Sequence, residues 1–226
     1  MKIAIKKALS ELDHDGLRAN FNKYTRQAFQ MLPRLNRPRI LDIGCGTGVP
    51  ALEIASLSDG EIFGIDIDEA ALEGFSKKIA AAGLQDRVKA VKCSLFAIEF
   101  PDESFDIVWA EGVIAIIGFE KGLKEWRRFI KPHGYLGIHD DVDDIQRKTE
   151  AIPAHGYTII NTFAVPKDTW WGEYYSLLEK RIKKLRNTYR TDADVLAMLD
   201  KEQRGIEMFK NEPKYHGSLF YVIQKS

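Results

Sequence analysis

Gly44, Gly46 and Gly48 stand on alternate positions directly after the branched apolar run Ile40-Leu41-Asp42-Ile43, and an apolar segment with helical spacing follows from Val49. The pattern predicts a buried strand, a tight turn and a helix. Glycine suits such a turn because it takes positive φ, and because without a Cβ it lets a ligand lie against the backbone. The N–H groups that open the next helix favour a polar or anionic part of that ligand. The spacing narrows the choice. A dinucleotide fingerprint sets its third glycine three places after the second, whereas Gly46 and Gly48 are two apart, and no Lys-Ser or Lys-Thr pair of a P-loop follows. Pyrophosphate is therefore not the expected ligand, which sets back a dinucleotide-dependent reductase.

Downstream, Glu61-Ile62-Phe63-Gly64-Ile65-Asp66-Ile67-Asp68 reads as a second buried strand that ends in an acid, followed by a helix from Glu69 toward Ala82. A carboxylate at that strand end is placed to accept both ribose hydroxyls of an adenosine, the role nucleotide folds give it, and Asp66 takes that role here. Asp68, directly before the helix, is the expected N-cap.

With Asp42, Gly44, Cys45, Gly46, Thr47 and Gly48 in the first turn and Asp66 after the second strand, the chain resembles the class I S-adenosylmethionine-dependent methyltransferases, in particular their small-molecule members with methyltransferase domains of type 11 or 25. The segments Phe100-Pro101-Asp102-Glu103-Ser104-Phe105-Asp106-Ile107-Val108 and Phe129-Ile130-Lys131-Pro132-His133-Gly134-Tyr135-Leu136 are similar to later landmarks of the same family. The resemblance implies an α/β fold with a Rossmann-like, seven-stranded, mostly parallel sheet, an antiparallel last strand, helices on both faces and a helical insertion between strands six and seven. It implies S-adenosylmethionine as cofactor, the glycine turn along its methionine part, Asp42 near its amino group and Asp66 on its ribose. Many members carry an acid after the third strand for the adenine amino group. This chain has Ser94 there, so Ser94 or the backbone at Leu95 is expected at the adenine and Ile67 on its apolar face, with a plain turn hydroxyl as the other reading of Ser94.

The remaining strands are expected at Val88 to Cys93, Phe105 to Ala110, Tyr135 to His139, Tyr157 to Val165 and Ser218 to Ile223, with a turn at Lys131 to Gly134 and helices around Leu123 to Phe129 and Asp143 to Ala154. One domain is expected over residues 1–226, with an N-terminal helix at about 16–32 and an aromatic-rich insertion at about 166–216. Ligands of open α/β sheets bind beyond the C-terminal ends of the strands. Glu111 and His139 stand at two such ends and are the candidate groups to position an acceptor or take its proton, Glu111 bordering the cofactor as well. Asp140 and Asp141 follow His139, and Asp141 reads as a solvated loop acid. In the insertion, Trp170, Trp171, Tyr174 and Tyr175 are expected as apolar walls of a lid over the substrate, or else as fasteners of the two charged helices at Ser176 to Thr188 and Asp192 to Lys210.

Composition adds exclusions. With 33 basic and 33 acidic residues among 226, no basic face for nucleic acid is expected. Two cysteines, Cys45 and Cys93, make neither a disulfide framework nor a zinc pattern, and no metal is expected. The opening Met1-Lys2-Ile3-Ala4-Ile5 has too short an apolar run for a signal peptide, and no segment approaches a membrane span, so a cytoplasmic enzyme is expected, with exposed aromatics that suit a homodimer. The expected activity is methyl transfer from S-adenosylmethionine to a small-molecule nucleophile by in-line displacement. The alternative is a non-catalytic S-adenosylmethionine-binding protein that uses the aromatic insertion as a partner surface.

Overall fold

A computed structural model describes residues 2–212 and 217–226, so the last four positions of the expected insertion, 213–216, lie outside the described residues. The chain divides into two compact units, Met1–Phe21 with Val165–Ser218, and Asn22–Ala164 with Leu219–Ser226.

The second unit is built on a seven-stranded sheet in the order β3-β2-β1-β4-β5-β7-β6, formed by β1 (Arg39–Ile43), β2 (Glu61–Asp66), β3 (Val88–Lys92), β4 (Phe105–Glu111), β5 (Ile130–Asp141), β6 (Tyr157–Val165) and β7 (Ser218–Lys225). Strands β1 to β5 pair in parallel, and β7 enters antiparallel to β5. The expected α/β class and antiparallel last strand are thus found. Interior β1 is an almost unbroken apolar run because helices cover both of its faces. Its one acid, Asp42, is only 2% exposed. Around the sheet lie α3 (Asn22–Gln30), α4 (Val49–Leu57), α5 (Glu69–Ala81), α6 (Ile114–Ile117), α7 (Phe119–Trp126) and α8 (Ile145–Ala154). One core joins Leu41, Ile43, Val108 and Leu136 of the strands to Leu123, Trp126 and Phe129 below them.

The first unit is helical: α1 (Ile3–Leu12), α2 (His14–Ala19), a π-helical turn at Trp171–Tyr175, α9 (Ser176–Thr188) and α10 (Ala193–Asn211). Ala8, Leu12 and Leu17 pack there with Leu178, Ile182, Leu185, Val195 and Leu199.

Two expected elements need correction. The single helix read over 16–32 is broken, and α1 precedes it. Asp13 caps α2 by accepting from the Gly16 amide, and the helix closes at Asn20, whose side-chain amide donates to the Glu173 carbonyl, while buried Phe21 stacks on Trp170 at 4.1 Å. A polar side chain and a buried ring both take partners in the helical unit, and an uninterrupted helix cannot satisfy them. The turn read at Lys131 to Gly134 is instead a bulge inside β5. Phe105 pairs with Ile130 but Ile107 pairs with Tyr135, so the extra residues loop out, with His133 at φ 61° and Lys131 bound to both oxygens of Asp106 at 2.9 Å.

At the end of β5, Asp140 and Asp141 share buried Lys148 of α8, at 2.8 and 2.6 Å. Asp141 is therefore a partner in a buried ion cluster and not a solvated loop acid. Burial works to lower the Lys148 pKa, but the two aspartates outweigh it and hold it above the ordinary lysine value. Burial likewise pushes Asp140 up, beyond what Lys148 offsets. A group whose pKa is raised on folding adds stability that is complete below its unfolded pKa and is lost as pH climbs through the folded one. For Lys148 that window lies above about pH 10. Lys148→Met should therefore flatten the alkaline limb of a plot of Tm against pH, and a slope equal to that of the natural protein would show that the cluster contributes nothing there.

Gly48 offers a second check. An added Cβ would lie 2.0 Å from the buried Phe75 ring, at φ +78°, whereas at Gly46, with φ +52°, it would meet nothing within 4 Å. Urea unfolding should show a loss of about 2–5 kcal/mol for Gly48→Ala, backbone strain plus overpacking, and of about 1–2 kcal/mol for Gly46→Ala, strain alone. Equal losses would contradict this assignment.

Candidate functional site

The glycine turn is shaped by the end of the neighbouring strand. The amides of Gly44 and Cys45 both donate to the Ile65 carbonyl, at 2.8 and 3.0 Å, and the Gly48 amide donates to the Cys45 carbonyl at 2.8 Å. All three glycines take positive φ, at 69°, 52° and 78°. A Cβ on Gly44 would strike Val113 at 2.5 Å, so packing as well as conformation requires glycine there. Gly48 opens α4, and Pro50 in the first helical turn needs no amide partner. Thr47 lies between the last two glycines. The Cys45 thiol is buried, and burial first, then Asp42 and Asp66, push its pKa far up, so it stays protonated and acts as packing.

Asp66 is held in place by two backbone amides: Oδ2 accepts from Gly46 at 2.8 Å and Oδ1 from Asp68 at 2.9 Å. A carboxylate has about four lone-pair sites, so further acceptor capacity remains for two hydroxyls. Asp68 caps α5 as expected, accepting from the Ala70 and Ala71 amides.

A cleft of about 300 Å3 opens beyond these strand ends, lined by Gly44, Asp66, Ile67, Ser94, Leu95 and Glu111 among the expected residues. Asp42, Cys45, Gly46, Thr47, Gly48 and His139 are not among its lining residues. Ser94 accepts from the Phe96 amide at 3.2 Å, so the turn reading of its hydroxyl is present in the geometry, on the cleft wall. Among the lining residues that escaped sequence reading are Phe96, 58% exposed, and Ile116, 64% exposed, which with Ile67 at 69% put three large apolar side chains in solvent around one cleft. The signal for Ile116 was the apolar run Val113 to Ile117 directly after a strand end, which is too short to declare a helix.

Glu111 is buried. Its Oε1 accepts from Thr25 Oγ1 and from Trp109 Nε1, both at 2.8 Å, and its Oε2 lies 3.8 Å from Nδ1 of His139. Trp109 reaches it because alternate residues of β4 share a face. His139 is Glu111's register partner on β5, and its ring stacks on Phe220 at 4.2 Å, which in turn stacks on Phe163. The structure therefore brings the two candidate proton-handling groups together. Thr25, the hydroxyl that helps hold Glu111, lies on α3, and nothing local marks it in the sequence.

The aromatic residues of the insertion are engaged inside the helical unit. Trp170 stacks on Phe21 and donates to Ser218 Oγ at 2.9 Å, Trp171 and Tyr175 stack on Phe209, and the Tyr174 hydroxyl meets His14 Nδ1 at 2.9 Å. Burial, with smaller effects from Tyr175 and Glu202, pushes the Tyr174 pKa up to about 12. Trp171 is the most exposed of the four. Among the described residues, no cluster of three or more acidic, histidine or cysteine side chains is placed to hold a metal, and no helix is long and apolar enough to cross a membrane.

A family described as a methyltransferase domain matches residues 40–134. Over 139 residues the chain is 32% identical to an uncharacterized protein of Haemophilus influenzae, covering 59% of this chain and 55% of that one. It is also 34% identical over 111 residues to the 27-O-demethylrifamycin SV methyltransferase of Amycolatopsis mediterranei, covering 49% and 41%. These matches span about half or less of each curated relative. Among solved structures, the [4+2]-cyclase SpnF superposes with a TM-score of 0.75 at 20% identity, over 90% of this chain and 80% of that one. A phosphoethanolamine N-methyltransferase of Haemonchus contortus in complex with S-adenosyl-L-methionine superposes with a TM-score of 0.69 at 19% identity, over 91% and 52%. At these identities the structural likeness speaks for the fold. The glycine turn, the strand-end acid, the sheet order and the matched domain are together similar to those of the class I S-adenosylmethionine-dependent methyltransferases.

Proposed function

We propose that this chain binds S-adenosylmethionine in the cleft at the ends of β1, β2 and β3 and transfers its methyl group to a small-molecule nucleophile. The observation that carries this reading is Asp66, clamped by the Gly46 and Asp68 amides at the mouth of a cleft whose other walls expose Ile67, Phe96 and Ile116. A flat, apolar base beside a diol suits that combination, and the open space over Gly46 leaves backbone accessible to the rest of the molecule. When bound, the cofactor supplies a methyl carbon made electrophilic by its sulfonium. The acceptor atom forms its bond to that carbon as the carbon–sulfur bond breaks, and S-adenosylhomocysteine leaves. The chain's task is to align the two and to receive any proton the acceptor loses. Glu111, fixed by Thr25 and Trp109 on the cleft wall, positions the acceptor or takes that proton, and His139, 3.8 Å behind it, is the second candidate for this role.

Calorimetry should show S-adenosylhomocysteine binding, weakened about tenfold or more by Asp66→Asn, because an amide accepts fewer hydrogen bonds than a carboxylate. Unaltered affinity would remove Asp66 from the site. With labelled methyl donor and a metabolite extract, the natural protein should label a small product, and Glu111→Gln should cut the rate by about a hundredfold while keeping cofactor affinity. Cofactor binding without any labelled product across broad extracts would favour the non-catalytic alternative.

A further inference from the structure

A second cavity, of about 400 Å3 and larger than the cofactor cleft, lies at the opposite end of β1, where the strand begins. Phe29 near the end of α3, Leu32 just past it, Leu57 from the end of α4 and Ile107 of β4 form apolar walls. Arg34 stands at the same cavity, exposed and without an ion pair among the described residues. The one acid among the lining residues, Asp59, accepts the Arg37 backbone amide at 3.1 Å and forms no ion pair with Arg34. The volume lies in the range of small-molecule sites, the walls suit a ring or branched chain, and the Arg34 guanidinium has no ion-pair partner among the described residues. We infer that this cavity is a second ligand site, for a small aryl or branched-alkyl carboxylate whose acid group pairs with Arg34.

The cavity also has a route to the chemistry. Phe29 meets Trp109 edge to face at 5.8 Å, and Trp109 Nε1 is one of the two donors that hold Glu111. Thr25, the other donor, sits one turn earlier on the same helix as Phe29. Glu53 of α4 binds Asn22 and Arg26 of α3, so the two helices that wall the cavity are joined to each other. A ligand that moves Phe29 is therefore sensed at the Trp109 indole.

The test uses the full chain labelled with 5-fluorotryptophan and the probe 4-phenylbutyrate, titrated by calorimetry and by fluorine NMR, with and without saturating S-adenosylhomocysteine. The probe should bind equally in both arms and shift the Trp109 resonance, assigned through Trp109→Phe. Arg34→Ala should weaken it about five- to tenfold, as loss of a charge-assisted hydrogen bond does. Leu57→Trp, which fills the cavity, should abolish it at unchanged affinity for S-adenosylhomocysteine. No binding at about 10 mM probe, competition with S-adenosylhomocysteine, an unmoved Trp109 resonance at saturation, or indifference to both substitutions would each overturn the inference. The arm without S-adenosylhomocysteine is independent of the function proposed for the first cleft.

Discussion

The end of β2 receives the turn that follows β1, and the rest of the candidate site hangs on that junction. One carbonyl, Ile65, accepts two successive amides of the turn, and the next side chain, Asp66, accepts a third from Gly46. The bend is thus held in shape by its neighbour's strand end, and the same hydrogen bonds aim the carboxylate. Phe75 closes the arrangement from below: the positions of Gly48 and Gly64 leave no room for a Cβ because its ring lies against both. Buried glycine contacts and a satisfied turn let α5 pack close against the bend and β2, which is why conformation and packing make the same demand at these positions.

Buried charge is concentrated at the C-terminal ends of β4 and β5, in two groups that alternation along β5 separates. His139 turns toward Glu111 and Phe220, while Asp140, the next residue, reaches Lys148. Both groups persist inside the protein because each charged atom faces a donor or an opposite charge, and a buried charge lacking one is strongly destabilising. The Lys148 cluster ties β5 to α8. The Glu111 group gathers α3, β4, β5 and β7 around one carboxylate, a costly arrangement for stability alone and a useful one for holding a proton acceptor still.

Much of the sheet was legible in the residues because its signals are local. Period-two and fully apolar runs marked all seven strands, glycines marked the turn, and Asp66 and Asp68 declared themselves by their places at a strand end and a helix start. What was missed shares one cause. The break at Asn20 and Phe21 depends on Glu173 and Trp170, the β5 bulge on Asp106 of a different strand, and the place of Thr25 on a carboxylate far along the chain. Phe96 and Ile116 look like ordinary apolar residues until the fold leaves them exposed around one opening.

Backbone preferences and hydrophobic period are properties of a few adjacent residues, so the order of strands and helices, the glycine bend and the acid after the second strand were written in the chain itself. Which side chains meet is settled only on folding, when residues remote in sequence come into contact. The pairing of Glu111 with His139, the donors that hold it, the Lys148 cluster and the two cavities at opposite ends of β1 therefore belong to the three-dimensional arrangement, because each is made of groups that no local pattern joins.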